Sequence, residues 1–196
     1  MLHVGVTGGI GSGKSTVCRI LEVFAVPVFN ADLEAKRLVS EDPELRAELI
    51  GSFGSWVFVG GVLDRKALAD VVFHDEAALG RLNDIVHPRV RALFTKWAAE
   101  ATTPYVVMEA AIMIKTGGSK LMDHVVVVTA PMDLRIARVM ARDGAARSSV
   151  EARMKNQLND DEMVAGANTV ILNDDQHLVI PQVLALHHNM LQQAQA

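Results

Sequence analysis

Along the chain, short apolar runs alternate with segments whose apolar residues recur at helical spacing. Leu2–Thr7 is a short, β-branched, mostly apolar run, and further runs fall at Val26–Phe29, Tyr105–Met108, Val125–Thr129 and Thr169–Leu172. Runs of this kind fit parallel strands covered on both faces by other layers. Between the first two the period changes: Val17, Ile20, Leu21 and Phe24 put an apolar stripe on one side of a helix over Ser15–Phe24. Five strands separated by helical patterns predict a three-layer α/β fold with a five-stranded parallel sheet. Ligands of such sheets bind beyond the carboxyl ends of the strands. The residues there are Asn30–Asp32, Glu109 and Ala110, Ala130 and Pro131, and Asn173–Asp175.

From about Asp32 to Thr103 the pattern is mostly helical and long for a single crossover, with turn signals at Asp42-Pro43, Gly60-Gly61 and His87-Pro88. This stretch reads as a helical flap over an acceptor substrate, inserted into one domain spanning residues 1–196. The C-terminal segment His-His-Asn-Met-Leu-Gln-Gln, residues 187–193, is expected to fray.

The turn after the first strand carries the chemistry. Gly8 to Thr16 reads Gly-Gly-Ile-Gly-Ser-Gly-Lys-Ser-Thr and contains Gly-x4-Gly-Lys-Ser at Gly8, Gly13, Lys14 and Ser15. Glycines let successive N–H groups curl around an anion, Lys14 adds a mobile positive charge, and the Ser15 hydroxyl is suited to Mg2+. The phosphates then meet the positive end of the following helix. Strand, loop and helix come in the required order, and Lys-Ser-Thr after the last glycine has no purpose in an ordinary turn. The chain handles a nucleotide.

Composition narrows the partners. The 196 residues carry a net charge of −4 and are 50% hydrophobic, enough for one core but without the basic footprint of a nucleic-acid binder. A small phosphorylated ligand fits better. No apolar run approaches the ~20 residues of a membrane span, because Glu22 and Glu109 interrupt the longest candidates. The chain opens on strand pattern rather than a charged targeting segment, and a cytoplasmic protein is expected. The lone Cys18 excludes an internal disulfide and reads as helix packing.

Two groups of residues suit the transfer step. Asp32 follows the second strand at the edge that carries the glycine loop, where a carboxylate can orient or deprotonate an acceptor hydroxyl. It equally suits the positive end of a helix capped by Asn30. Arg135, Arg138 and Arg142 fall on one face of the helix after Pro131, and Arg147 follows in a Gly-Ala-Ala loop. That stripe reads either as a solvated face or as part of a movable lid, over about residues 142–160, that neutralises the transferring phosphoryl group.

Taken together, the chain resembles the dephospho-CoA kinases. The likeness runs through Val6–Val17, Asn30-Ala31-Asp32, Gly61-Val62-Leu63-Asp64-Arg65, His87-Pro88, Arg138, Arg142-Asp143, Arg153, Gln157 and Val170-Ile171-Leu172-Asn173, in order over nearly the whole chain. The resemblance implies a P-loop kinase fold and transfer of the ATP γ-phosphate to the ribose 3′-hydroxyl of dephospho-coenzyme A, with Mg2+. It implies ATP contacts from Gly11, Ser12, Gly13, Lys14, Ser15, Thr16 and Asn173, and metal ligation by Ser15. Asp32, Lys14 and Arg142 would be catalytic, and Asp32, Arg65, His87 and Glu109 would serve dephospho-coenzyme A. His87-Pro88 also suits the start of a helix. Two departures stand out: Asn30 replaces an aspartate common in the family, and Lys115 ends a segment where many members have glutamate. The small-molecule substrates are the expected partners, with neither nucleic acid nor membrane, and a homo-oligomer is left open. A kinase for another small acceptor would use the same loop and lid. A GTPase switch is disfavoured by the lack of an Asn-Lys-x-Asp segment, and a nonenzymatic ATP-binding regulator would need neither Asp32 nor a lid arginine.

Overall fold

A computed structural model describes residues 1–72 and 75–195. In chain order its elements are β1 (Leu2–Thr7), α1 (Lys14–Val23), β2 (Val28–Asn30), α2 (Ala31–Glu41), α3 (Pro43–Phe53), β3 (Phe58–Val59), β4 (Val62–Leu63), α4 (Arg65–Val72) and α5 (Glu76–Ala99). These are followed by β5 (Tyr105–Glu109), β6 (His124–Thr129), α6 (Met132–Asp143), α7 (Arg147–Lys155), α8 (Asp160–Ala165), β7 (Thr169–Leu172) and α9 (Val179–Gln193). The chain divides into two compact units, residues 1–30 with 101–196, and residues 31–100.

The first unit is built on a parallel five-stranded sheet in the order β2-β5-β1-β6-β7. Its strands are apolar on both faces because both faces are covered. Val126 and Val128 point into a core shared with Val17 and Leu21 of α1 and Val183, Leu186 and Met190 of α9. Their neighbours Val125 and Val127 point the other way, against Met163 of α8. Strand register brings Val6 opposite Glu109 and Thr7 opposite Val127, so the carboxyl ends of three central strands finish together at the glycine loop.

All five expected strands are present, two with the expected ends and three with shifted ones. β2 starts at Val28, because Val26 still belongs to the exit of α1, where its N–H donates to Leu21 O (3.1 Å) and Ala25 takes a positive φ. β5 extends to Glu109 and β6 begins at His124. The expected fraying of the C-terminus is corrected: α9 is helical through Gln193, with Met190 fully buried. The His187 ring anchors it, stacking on Phe24 at 5.0 Å and sharing a 2.8 Å hydrogen bond between Nδ1 and Tyr105 OH.

In the second unit α2, α3 and α4 pack on α5, and Val57, Leu68, Val72 and Ala78 form a small core. The Gly60-Gly61 turn is the tip of the β3–β4 hairpin, and both glycines have positive φ, as a two-residue hairpin turn requires. His87-Pro88, read as a turn, lies inside the 24-residue α5, which is capped instead by Asp75, whose carboxylate accepts from Ala77 N and Ala78 N. Pro88 removes one N–H from the ladder inside α5, yet the helix continues through it to Ala99.

Candidate active site

The glycine loop wraps from β1 into α1 with Gly8, Gly11 and Gly13 at positive φ. At Gly13 this conformation and the space coincide, since a Cβ there would collide with Asn173 Nδ2. Lys14 Nζ lies over the loop and donates to Gly8 O (2.8 Å) and Gly9 O (3.1 Å). Ser12 Oγ is buried and has no hydrogen-bond partner among the described residues. A buried hydroxyl without a partner is uncommon, and one in the middle of an anion-cradling loop suits a phosphate oxygen. Ser15 and Thr16 follow on the first turn of α1.

Three strand ends meet at Glu109, the last residue of β5, which is 8% exposed. Its Oε1 accepts from Ser15 Oγ at 2.7 Å and its Oε2 from Asn30 Nδ2 at 2.9 Å. Glu109, expected on the acceptor side, thus faces the residue expected to hold the metal, and Asn30 binds this carboxylate. A hydroxyl and a carboxylate side by side are hard oxygen donors that fit Mg2+ shared with substrate phosphates. Among the described residues no group of three or more His, Cys, Asp or Glu gathers to hold a metal alone. Mg2+ commonly keeps only one or two protein ligands in such sites.

The far side of the loop is braced from α6 and from the end of β7. Asn173, after β7, donates from Nδ2 to Ser12 O (2.8 Å), while Arg138 Nη1 donates to Asn173 O (2.9 Å) and Arg138 Nη2 to Asp175 (2.6 Å). Arg135 is only 6% exposed. Its Nε donates to Ile10 O (3.1 Å) and its Nη1 to Asp160 (2.6 Å), and a Cβ on Gly9 would strike its guanidinium. The arginine stripe is therefore not a uniformly solvated face, because Arg135 turns inward against the loop. The 3.6 period places residues on a face without saying what covers that face.

At the outer end of the stripe Arg142 is exposed in the last turn of α6, paired with Asp143 at 2.7 Å. Arg153 of α7 reaches the same carboxylate at 3.1 Å. Hydrogen bonds from these two guanidinium groups hold the Asp143 carboxyl down at about 2. Arg147, expected in a loop, is the first residue of α7 and pairs with Asp133 and Glu151. Lys115, the charge-reversed position, donates from Nζ to Asn156 O (2.9 Å), where a cation complements the carboxyl end of α7.

The remaining candidates belong to the second unit. Asp32 is exposed in the first turn of α2, two residues after Asn30. Arg65 opens α4 and is exposed, with the preceding Asp64 accepting from Ala67 N at 3.0 Å. His87 is half-buried in α5, and burial first, then the Arg91 charge, pushes its imidazole below the usual range.

A family model described as dephospho-CoA kinase matches residues 2–178. A dephospho-CoA kinase of Bacteroides fragilis is 40% identical over 186 residues, 94% of this chain and 91% of its own. One from Salinibacter ruber is 43% identical over 178 residues, 89% of each chain. Among solved structures, a Thermus thermophilus protein superposes with a TM-score of 0.87 at 34% identity over 97% of each chain. The dephospho-CoA kinase of Campylobacter jejuni shares the fold, with a TM-score of 0.68 at 22% identity over 97% of this chain and 98% of its own. By sequence and by fold, this chain belongs to the dephospho-CoA kinase family.

Proposed function

We propose that this chain transfers the γ-phosphoryl group of ATP to the ribose 3′-hydroxyl of dephospho-coenzyme A, giving coenzyme A and ADP. The observation that carries the nucleotide half is the loop itself. Lys14, the Ser12 hydroxyl, which has no partner among the described residues, and the Ser15–Glu109 pair are gathered at the amino end of α1. Backbone N–H groups of Gly11, Gly13 and Lys14 and the positive end of α1 receive the β- and γ-phosphates. Asn173 holds the wall of the cradle on the side proposed for adenine. Ser15 and Glu109 would hold Mg2+, which would supply neutralisation of phosphate charge.

Phosphoryl transfer asks the protein for alignment and charge stabilisation more than for covalent chemistry. Asp32 is assigned to orienting the acceptor hydroxyl and taking its proton. Arg65 and His87 are assigned to dephospho-coenzyme A. His87 suits a neutral hydrogen-bonding role, because burial disfavours its cation. Arg142 is assigned to the lid: exposed and tied to a single neighbouring carboxylate, it can exchange Asp143 for phosphate oxygens. The buried Cys18, whose thiol burial pushes far up, accords with a reducing cytoplasm. The test is to supply Mg-ATP with dephospho-coenzyme A, a nucleoside monophosphate or a small alcohol in turn and weigh the products. Coenzyme A as the preferred product supports the assignment, and preferred transfer to another acceptor refutes it.

A further inference from the structure

The tip of the phosphate loop is held from both sides of one peptide residue. Ile10 N–H donates to Gln157 Oε1 at 2.8 Å, and Ile10 C=O accepts from Arg135 Nε at 3.1 Å. Arg135 is itself fixed by Asp160, so Gln157 and Asp160, three residues apart, reach the same loop residue directly and through one guanidinium. Gln157 lies in the short link between α7 and α8, and Asp160 opens α8 just beyond it. That link is seated: Leu158 packs with Val125, Val127 and Met163, Asn159 caps α8 through a reciprocal bond with Glu162, and Lys115 holds Asn156 O.

We infer that Gln157 is a positioning residue for the nucleotide, a strut from the root of α7 that fixes the Ile10 peptide and so sets the curvature of the glycine loop. The argument is one of conformational freedom. A loop rich in glycine has many alternative conformations, and each one lost before ATP arrives is a cost that binding does not meet. Gln157 engages the Ile10 N–H and Gly9 O accepts from Ser12 N (3.1 Å), so the tip is pinned on both sides of Gly11 before the phosphates arrive. Because the strut springs from the end of α7, the loop and the carboxyl end of the lid helix are set together.

This inference rests on the loop holding ATP, and the test separates the two. Gln157→Met keeps length without an acceptor, Gln157→Asn keeps the amide but falls a methylene short, and Gln157→Glu keeps both reach and an acceptor oxygen. Amide exchange at Ile10 without nucleotide reads the strut directly. It should speed up about fivefold in the Met and Asn variants, the worth of one neutral hydrogen bond, and stay slow in Gln157→Glu. The ATP dissociation constant and KM should rise about fivefold in the Met and Asn variants, with kcat at saturating ATP little changed. Wild-type exchange at Ile10 in both of those variants, or faster exchange with unaltered ATP affinity, overturns the role of Gln157. A wild-type chain that binds no ATP overturns the nucleotide assignment as well.

Discussion

Glu109 shows what residue-by-residue reading can and cannot reach. Its place at the end of a strand was legible, because the apolar run Tyr105–Met108 stops there. Its partners were not. They depend on parallel register, which sets Val6 and Asn30 beside Glu109 and brings Ser15 within 2.7 Å. The glycine loop was legible because its function constrains consecutive residues, whereas Arg135, Gln157 and Asp160 support it from more than 120 residues away along the chain. The loop and the acceptor carboxylate should separate kinetically. Lys14→Ala should lose on the order of 3 kcal/mol of transition-state stabilisation through a charge that acts on the phosphates. Asp32→Asn should lower kcat about 10²-fold or more and leave ATP affinity nearly intact, since orienting work is lost while the cradle stays whole. Steady-state kinetics beside equilibrium ATP binding check both. An Asp32→Asn protein with normal turnover and a lowered unfolding temperature would make Asp32 a helix-end residue only.

Among the elements, α6 carries three arginines at helical spacing in three environments: Arg135 buried on the loop, Arg138 half-buried on Asn173, and Arg142 exposed beside Asp143. Only the last is free to swing without dismantling the site. Arg142→Ala should therefore cut turnover about tenfold or more while dephospho-coenzyme A binding changes little. Arg37, exposed on α2 and paired with Glu34, is the matched surface control. Arg37→Ala should leave kinetics unaltered and shift stability by no more than about 0.5 kcal/mol. Equal, negligible kinetic effects in the two variants would remove Arg142 from the mechanism. Other elements were hidden for physical reasons. β3 and β4 are two residues each, too short for alternation to register, and α5 carries a proline that local propensity treats as a stop. α9 looked frayed because its polar residues dominate the composition of its last turns, while the Leu186 and Met190 spacing that docks it is sparse.

Across the whole molecule, the five-stranded parallel sheet was legible because strands buried on both faces leave continuous apolar runs, and the same burial shapes acid sensitivity. Burial pushes the imidazoles of His124, His187 and His87 below the usual 6.5, so the unfolded chain binds protons more readily than the folded one. Their contribution is present above about 6.5 and is lost as pH falls through the lowered folded values. Asp143 and Asp174, held at about 2 by hydrogen bonds from arginines and from the His177 backbone and ring, respectively, lose theirs only below the usual 3.8. Urea midpoints should therefore already fall between pH 7.5 and 5.5, and a profile flat until pH 4 would contradict this. The most direct test of the central claim is the initial rate of ADP release from Mg-ATP with and without dephospho-coenzyme A, with the product's phosphate position determined. The account predicts ADP release that depends on the acceptor and coenzyme A phosphorylated at the ribose 3′-hydroxyl. ADP release indifferent to dephospho-coenzyme A, or phosphate on another hydroxyl, would contradict it.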